Sequence, residues 1–343
     1  MRQILRMSWV LLVVVMMLTL VSCDKGAGPE EPVTFDPDKE YKVKVSLEST
    51  TSHPFFIVAD QMAKAVKERT KGKVVFELYP NNMLGSMKTV LDSIRNDTVQ
   101  MTVAGTQLHI YEPMISALEL PFLFEDFAQA KQVLHGSDKM DGVRERLRNK
   151  VQLRVMGFFP LGFRSWVSKT EIKSFEDFKG QRLRVPNMGI YIEFFKNLGI
   201  NGQALPFVEA IPAIEQGVSD GMDGAISSIA VLKLYEMAPN IFVTRHQLIL
   251  YSWIVSEKFY NRLPEAYQKI IEEESEIFVN KIWHIAEMAE KQSLVGMKKA
   301  GAKLHYPDAD TIAKMKAAGL KVNDYFYKEV PGSREFVERL KAQ

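Results

Sequence analysis

Arg184 stands in an otherwise apolar run, Arg182-Leu183-Arg184-Val185-Pro186-Asn187, which reads as a short strand stopped by a proline. A guanidinium is charged at every physiological pH, and its planar fork of N–H donors matches a carboxylate. A strand in an open α/β sheet delivers the residue at its C-terminal end to the crevice where such sheets take ligands. The same position suits an arginine that pairs with an acidic neighbour, and the strand alone does not choose between the two. Glu48, Ser49 and Thr50 follow the first predicted strand and face the same kind of crevice, with His53 just beyond. Bond-breaking chemistry has no comparable signal. His-Glu-x-x-His, Cys-x-x-Cys, Gly-x-Ser-x-Gly and a phosphate loop are all missing, and the six histidines are scattered singly. These residues point to holding an anion. No catalytic residue and no cofactor is assigned, and nothing in the sequence supports a metal ion bridging ligand and protein.

The elements around Arg184 are those of a βαβ unit. Asn187 is placed to cap a helix on which Ile190, Phe194 and Leu198 recur at i, i+4 and i+8, and Gly199 closes it in the left-handed cap position. Upstream, strands at Tyr41–Ser46, Val74–Leu78 and Val99–Val103 alternate with helices beginning near Phe55 and Leu84, which implies a parallel-rich sheet. Val151–Phe159 is a β-type run that crosses between two lobes, and Ile249–Val255 crosses back. Trp166 and Trp253, with Tyr251 beside the latter, lie near these hinge segments and are candidates to line the cleft. From Pro264 to Ala300 only Gly296 could break a helix of about ten turns, far above the usual length. Ile270, Ile277, Ile285 and Met288 are read along one side of it, and acids early with lysines late suit the helix dipole. Two helices with a break near 290–292 remain the alternative.

At 343 residues the chain can hold two domains with separate cores, and 46% hydrophobic with 25% charged residues is an ordinary globular composition. A net charge of +2 without any basic block argues against a nucleic-acid partner. The N-terminus reads as an address. Arg2 and Arg6 precede an apolar run from Trp9 to Val21, too short for a comfortable membrane span. It ends Leu20-Val21-Ser22-Cys23, which resembles a bacterial lipobox; as Cys23 is the only cysteine, an intrachain disulfide is excluded and lipidation is favoured. Residues 1–22 are therefore expected to be a lipoprotein signal peptide and 23–39 a flexible tether to a membrane surface. The first lobe is assigned to 40–160 with 250–290, the second to 161–249 with 291–343.

A run of short motifs, each weak alone, is strong in order. Arg69-Thr70-Lys71-Gly72-Lys73, Tyr79-Pro80, Leu84-Gly85 and Leu120-Pro121-Phe122-Leu123-Phe124 are followed by Gly162-Phe163-Arg164 and Phe175-Glu176-Asp177-Phe178-Lys179-Gly180. Then come Leu183-Arg184-Val185-Pro186-Asn187, Leu205-Pro206-Phe207-Val208-Glu209-Ala210 and Ala213-Ile214-Glu215-Gln216-Gly217-Val218-Ser219-Asp220-Gly221. From about Tyr41 to past Pro264 the chain resembles the extracytoplasmic solute-binding subunits of TRAP transporters, the DctP-type family. The resemblance implies an α/β, two-lobed periplasmic-binding-protein fold of type II-like form, with hinge strands and a long helix spanning both lobes. It implies capture of a small organic acid and delivery to TRAP permease membrane subunits, outside the cytoplasm. A sensory module that signals to a membrane receptor is the alternative use of the same cleft. By resemblance, Arg184 receives the ligand's carboxylate, Arg164 assists, and Phe207 packs on the ligand. Two departures stand out. Asp220-Gly221-Met222-Asp223-Gly224-Ala225 replaces the usual Asp-Gly-Gln-Glu-Asn-Pro, so Gly224 takes the place of an asparagine that bonds the carboxylate, next to Asp223. Gly105 lies where many relatives carry a larger residue. Two glycines at cleft positions predict a roomier pocket and a bulkier or aromatic carboxylate.

Overall fold

The structure, a computed structural model, describes residues 39–342; Cys23, the predicted signal peptide and all of the tether up to residue 38 lie outside the described residues. Ten strands form one connected sheet: β1 (Tyr41–Ser46), β2 (Val74–Tyr79), β3 (Met101–Ala104), β4 (Leu153–Ser168), β5 (Arg182–Val185), β6 (Asn201–Ala204), β7 (Gly221–Ala225), β8 (Asn240–Phe242), β9 (Leu248–Ser256) and β10 (Lys303–His305). The order along the main path is β2-β1-β3-β9-β4-β7-β5-β6, with β8 and β10 branching from β4.

Each end of this path is parallel. β1 lies between β2 and β3 on one side, and β5 between β7 and β6 on the other. The middle is antiparallel: β4 pairs with β9 from Leu153 to Phe163 and then with β7 and β8 from Arg164 to Ser168. One long strand thus belongs to both halves, and β9 accompanies it back. The predicted crossing segments are these two strands, although β4 continues nine residues beyond the expected Phe159. The pairing slips between Val155 and Gly157 and again between Pro160 and Gly162, where Gly162 has φ +146°. Bulges of this kind bend and twist a strand, which re-aims the residues that follow. Arg164 is two residues past the second slip.

The predicted Pro264–Ala300 segment is a single helix, Glu265–Lys299, of 35 residues. It packs on β4, on the helix Pro54–Arg69 of the first half and on the helix Ile226–Val231 of the second, so it braces both. The buried stripe is displaced from the one expected. Ile277 and Met288 are exposed, and the buried face carries Ile271, Ser275, Phe278, Ile282 and Ala286. Small and polar residues on that face (Ser275, Ala286, Glu290) break the apolar pattern, so a partly solvated row of isoleucines looks more regular. Asn187 is also corrected: the helix runs Gly189–Asn197 with Met188 at its N-cap and no side-chain cap bond. Gly199 does take the left-handed conformation, φ +75°.

Candidate ligand-binding site

The two arginines expected to converge on a ligand differ in what they already hold. Both are 5% exposed. Arg164 donates from Nε to Asp223 Oδ2 at 2.5 Å and from Nη2 to Oδ1 at 2.7 Å, a bidentate pair buried on both sides. Strand register makes it: Arg164 opposes Ala225 and Trp166 opposes Asp223 across the β4–β7 ladder. Burial pushes the Arg164 pKa down, but the Asp223 charge and its hydrogen bonds outweigh this and hold it above the usual arginine value. Burial likewise pushes Asp223 up, and Arg164, with a smaller contribution from His246, holds it well below the usual carboxylate range. His246 closes the far side of the acid, Nε2 to Oδ2 at 3.4 Å, with Nδ1 2.7 Å from Thr244 Oγ1; burial favours its neutral form. Two residues expected to meet the ligand, Arg164 and Asp223, are therefore chiefly each other's partners. What Arg164 still offers is the edge not turned to Asp223, above the Tyr191 ring at 4.8 Å.

Arg184 has no such counter-ion. Its Nε donates to Leu205 O at 3.0 Å, and among the described residues no carboxylate lies within ion-pair distance. Its pKa is lowered to about 10, first by burial, with Asp223 partly opposing and Arg164 adding to the effect. A charge taken from water without a partner is unfavourable until an anion arrives. β5 puts it there: the strand ends at Val185, Pro186 turns the chain, and Phe207 at the start of the helix Phe207–Glu215 comes within 5.7 Å of the guanidinium. Phe207 is 51% exposed, so its ring is free to cover a solute.

The other predicted residues divide. Glu48, Ser49 and Thr50 form the loop after β1; solvent reaches Glu48, yet the surrounding walls keep its pKa above the ordinary carboxylate value by desolvation. Ser49 Oγ is buried without a partner, and Thr50 pairs with Ser52. His53 serves the backbone instead of the crevice, because its Nδ1 accepts from Phe55 N at 3.1 Å and caps the helix Pro54–Arg69. Trp166 and Trp253 are fully buried and are corrected to core residues. Trp166 stacks on His246 at 4.8 Å and packs on Phe178 and Phe195; Trp253 stacks on Phe278 at 4.6 Å and donates to Ser275 Oγ. Trp166 shares a face of β4 with Arg164, and it is the enclosing rings, not strand alternation, that bury it.

The expected room at the two glycines is also corrected. A Cβ on Gly105 would lie 2.9 Å from the Tyr251 ring, so that ring already fills the space the glycine leaves. A Cβ on Gly224 would meet Met222 at 3.3 Å and Ile229 at 3.8 Å, in the apolar cluster on the far face of β7 from Asp223. Neither enlarges the crevice, and the expectation of a bulkier ligand loses its basis. A small cavity remains, about 20 Å³, room for one water, lined by Gly105, Ser116, Glu119, Met188 and Ser252.

Glu119, Tyr191 and His246 are residues of this cluster that sequence reasoning missed, whereas Tyr251 was among its candidates. Tyr191 donates to Glu119 Oε2 at 2.5 Å, with Glu119 4% exposed. A lone acid inside Ala117-Leu118-Glu119-Leu120-Pro121 was the available signal. Tyr191 and His246 gave none, because aromatics on a helix face read as core. Among the described residues no group of three or more His, Cys, Asp or Glu could hold a metal, and no helix is long and apolar enough to cross a membrane.

Among the described residues Arg184 is a buried guanidinium without a carboxylate partner, in a sheet shared by two α/β halves. The family model for bacterial extracellular solute-binding proteins, family 7 (DctP), matches residues 45–329. The chain belongs to that family. Its members capture solutes for TRAP transporters and are not enzymes. The 2,3-diketo-L-gulonate-binding periplasmic protein YiaO of Escherichia coli is 27% identical over 300 residues, 86% of this chain and 90% of the relative. A TRAP periplasmic solute-binding protein from Desulfovibrio desulfuricans, solved with sn-glycerol-3-phosphate, is 31% identical with a TM-score of 0.82, covering 87% of this chain and 96% of that one. One from Haemophilus influenzae, solved with L-gulonate, is 28% identical with a TM-score of 0.81, covering 88% and 99%. The fold of this family 7 protein is accordingly the two-lobed form expected from its sequence.

Proposed function

We propose that this family 7 protein binds a small organic acid between its lobes and hands it to a TRAP permease, with Arg184 as the carboxylate anchor. The lobes are 40–160 with 250–290 and 161–249 with 291–343, and lipidated Cys23 tethers them outside the cytoplasm through residues 23–39. One observation carries the reading: among the described residues Arg184 is a buried cation without a carboxylate partner, beside an Arg164 that is paired with Asp223. Phe207 covers the bound solute, and Arg164, oriented by Asp223, adds a donor. Contacts to both lobes favour closure by the difference in affinity between separated and closed forms. A micromolar ligand needs only about −8 kcal/mol in total, which one desolvated ion pair, a second donor and aromatic packing can supply. The relatives named for a diketo sugar acid and solved with a sugar acid are consistent with a carboxylate.

Native mass spectrometry of protein purified without refolding tests this. A retained small acid is expected on the wild type and absent from Arg184→Met. Equal retention by both would remove Arg184 from the site.

A further inference from the structure

The crevice has a second pole that the anchor does not explain. Glu119 ends the turn Pro113–Glu119 and lines the small cavity together with Met188, which precedes the helix of the βαβ unit. Tyr191, on the helix that follows β5, holds one carboxylate oxygen at 2.5 Å, and Gln247 holds the backbone carbonyl at 2.6 Å. Among the described residues nothing bonds Oε1. The same cavity wall carries the hydroxyl-bearing Ser116 and Ser252, with no lysine or arginine among its lining residues. A fixed acid that keeps one oxygen for the crevice, backed by serines, is suited to accept hydrogen bonds from hydroxyl groups and repels a second carboxylate.

We propose that Glu119, positioned by Tyr191, is a specificity-determining residue that selects carboxylates bearing hydroxyl groups over dicarboxylates and unsubstituted acids. The inference rests on Arg184 being the carboxylate anchor. The anchor fixes one end of the solute; Glu119 reads its other end. Burial raises the Glu119 pKa to about 7, opposed by the Tyr191 hydrogen bond and the Arg164 charge. The charged and titratable groups facing it are Tyr191 from its helix, Arg164 from β4 and Tyr251 from β9, with Asp223 and Glu48 beyond them. Loss of its proton leaves both oxygens as acceptors, so capture of a hydroxylated acid strengthens as pH rises from 6 to 8, while a dicarboxylate weakens.

The test is calorimetry on the full chain, wild type and the variants Glu119→Gln and Glu119→Leu. The probes are D-glucuronate, D-galacturonate and L-gulonate, against succinate and cyclohexanecarboxylate. The wild type is expected to bind its best hydroxylated probe at least tenfold tighter than either comparison acid. Glu119→Leu should lose that preference yet still bind cyclohexanecarboxylate, and Glu119→Gln should flatten the rise in affinity between pH 6 and 8. A thermal melt of both variants shows that they fold; Glu119→Gln keeps an oxygen for Tyr191 if the leucine does not. Succinate or cyclohexanecarboxylate binding best, or an unchanged preference in a folded variant, overturns the inference while leaving the anchor intact. No binding by any probe, or binding that survives Arg184→Met, overturns the anchor and the inference with it.

Discussion

Arg164 and Arg184 are equally buried, lie close enough to disfavour each other's charge, and carry opposite lessons. Around Arg164 every strong demand is met from within: Asp223 takes two of its donors, His246 takes the outer side of Asp223, and Thr244 fixes His246. Around Arg184, among the described residues, a backbone carbonyl and an aromatic face are the direct partners of a full charge, with Asp223 acting from farther off. A satisfied buried pair stabilises the empty protein against its own disruption, whereas an unsatisfied charge stores free energy that only a ligand releases. Breaking each arginine in turn should therefore move stability and affinity in opposite senses.

The largest effect is expected from Arg184→Met. Removing the cationic donor that pairs a desolvated carboxylate should weaken binding by roughly two to three orders of magnitude, about 3–4 kcal/mol. The empty variant should melt higher than the wild type, because methionine fills similar volume without a charge to desolvate. Calorimetry and a ligand-free melt read the two quantities separately. A variant that binds weakly and also melts lower would mean that Arg184 is a structural residue after all.

Arg164→Met should do the reverse. It strands Asp223 in the core, and breaking one side of a buried pair costs about 3–5 kcal/mol. The double variant Arg164→Met with Asp223→Leu should recover much of that loss, as apolar replacements of both partners often do. Denaturant titration of the wild type, Arg164→Met, Asp223→Leu and the double variant gives the coupling directly. If the single and double variants fall equally, the pair contributes nothing specific and the contrast between the arginines fails.

The sequence carried this contrast only halfway. Arg184 drew attention because a charged residue stands in an apolar strand just before a proline, and the structure shows it buried with a backbone carbonyl as its hydrogen-bond partner. The state of Arg164 was not legible, since Asp223 is 59 residues away and becomes its partner only through the β4–β7 register. The same cause hid Tyr191 and Glu119, 72 residues apart. Alternation gave no warning against Trp166, because it lies two residues beyond Arg164 on an unbroken stretch of β4 and so shares its face; only the rings that enclose it bury it there. Fold class, the crossing strands and the long helix were readable because they depend on length and order; cross-strand partners depend on register.

Acid titration sharpens the comparison at the level of single carboxyls. Asp223 has a folded pKa depressed below its ordinary 3.8, so its contribution is fully present above that value and is lost as pH falls below it. Glu119 has the opposite sign: its folded pKa, about 7, exceeds the ordinary 4.5, so the folded state binds the extra proton and stability declines as pH rises from 4.5 to 7. Denaturation of the ligand-free protein at pH 3, 5 and 7 should show a maximum near 5 from these two groups. Asp223→Asn should flatten the acid side and Glu119→Gln the neutral side, the latter by a few kcal/mol at most. An unaltered profile in either variant would show that the carboxyl titrates as it does in water.

The smallest effects separate two glycines that looked alike. A methyl group on Gly105 would press within 2.9 Å of Tyr251, whose ring is itself hemmed by Phe55 and Phe159, so the neighbour cannot simply step aside. Gly105→Ala should cost about 1–3 kcal/mol of stability through overpacking. It should also weaken ligand capture, because the strain falls on a wall shared with the cavity. On Gly224 the methyl would meet the end of the Met222 side chain at 3.3 Å, and methionine adapts by rotating. The backbone there lies outside the left-handed region, so alanine brings no conformational strain. Gly224→Ala is thus expected to shift stability by less than about 1 kcal/mol and to leave affinity unchanged. Should it instead abolish binding, β7 would have to present this position to the crevice, and the placement of Asp223 on the opposite face would be wrong with it.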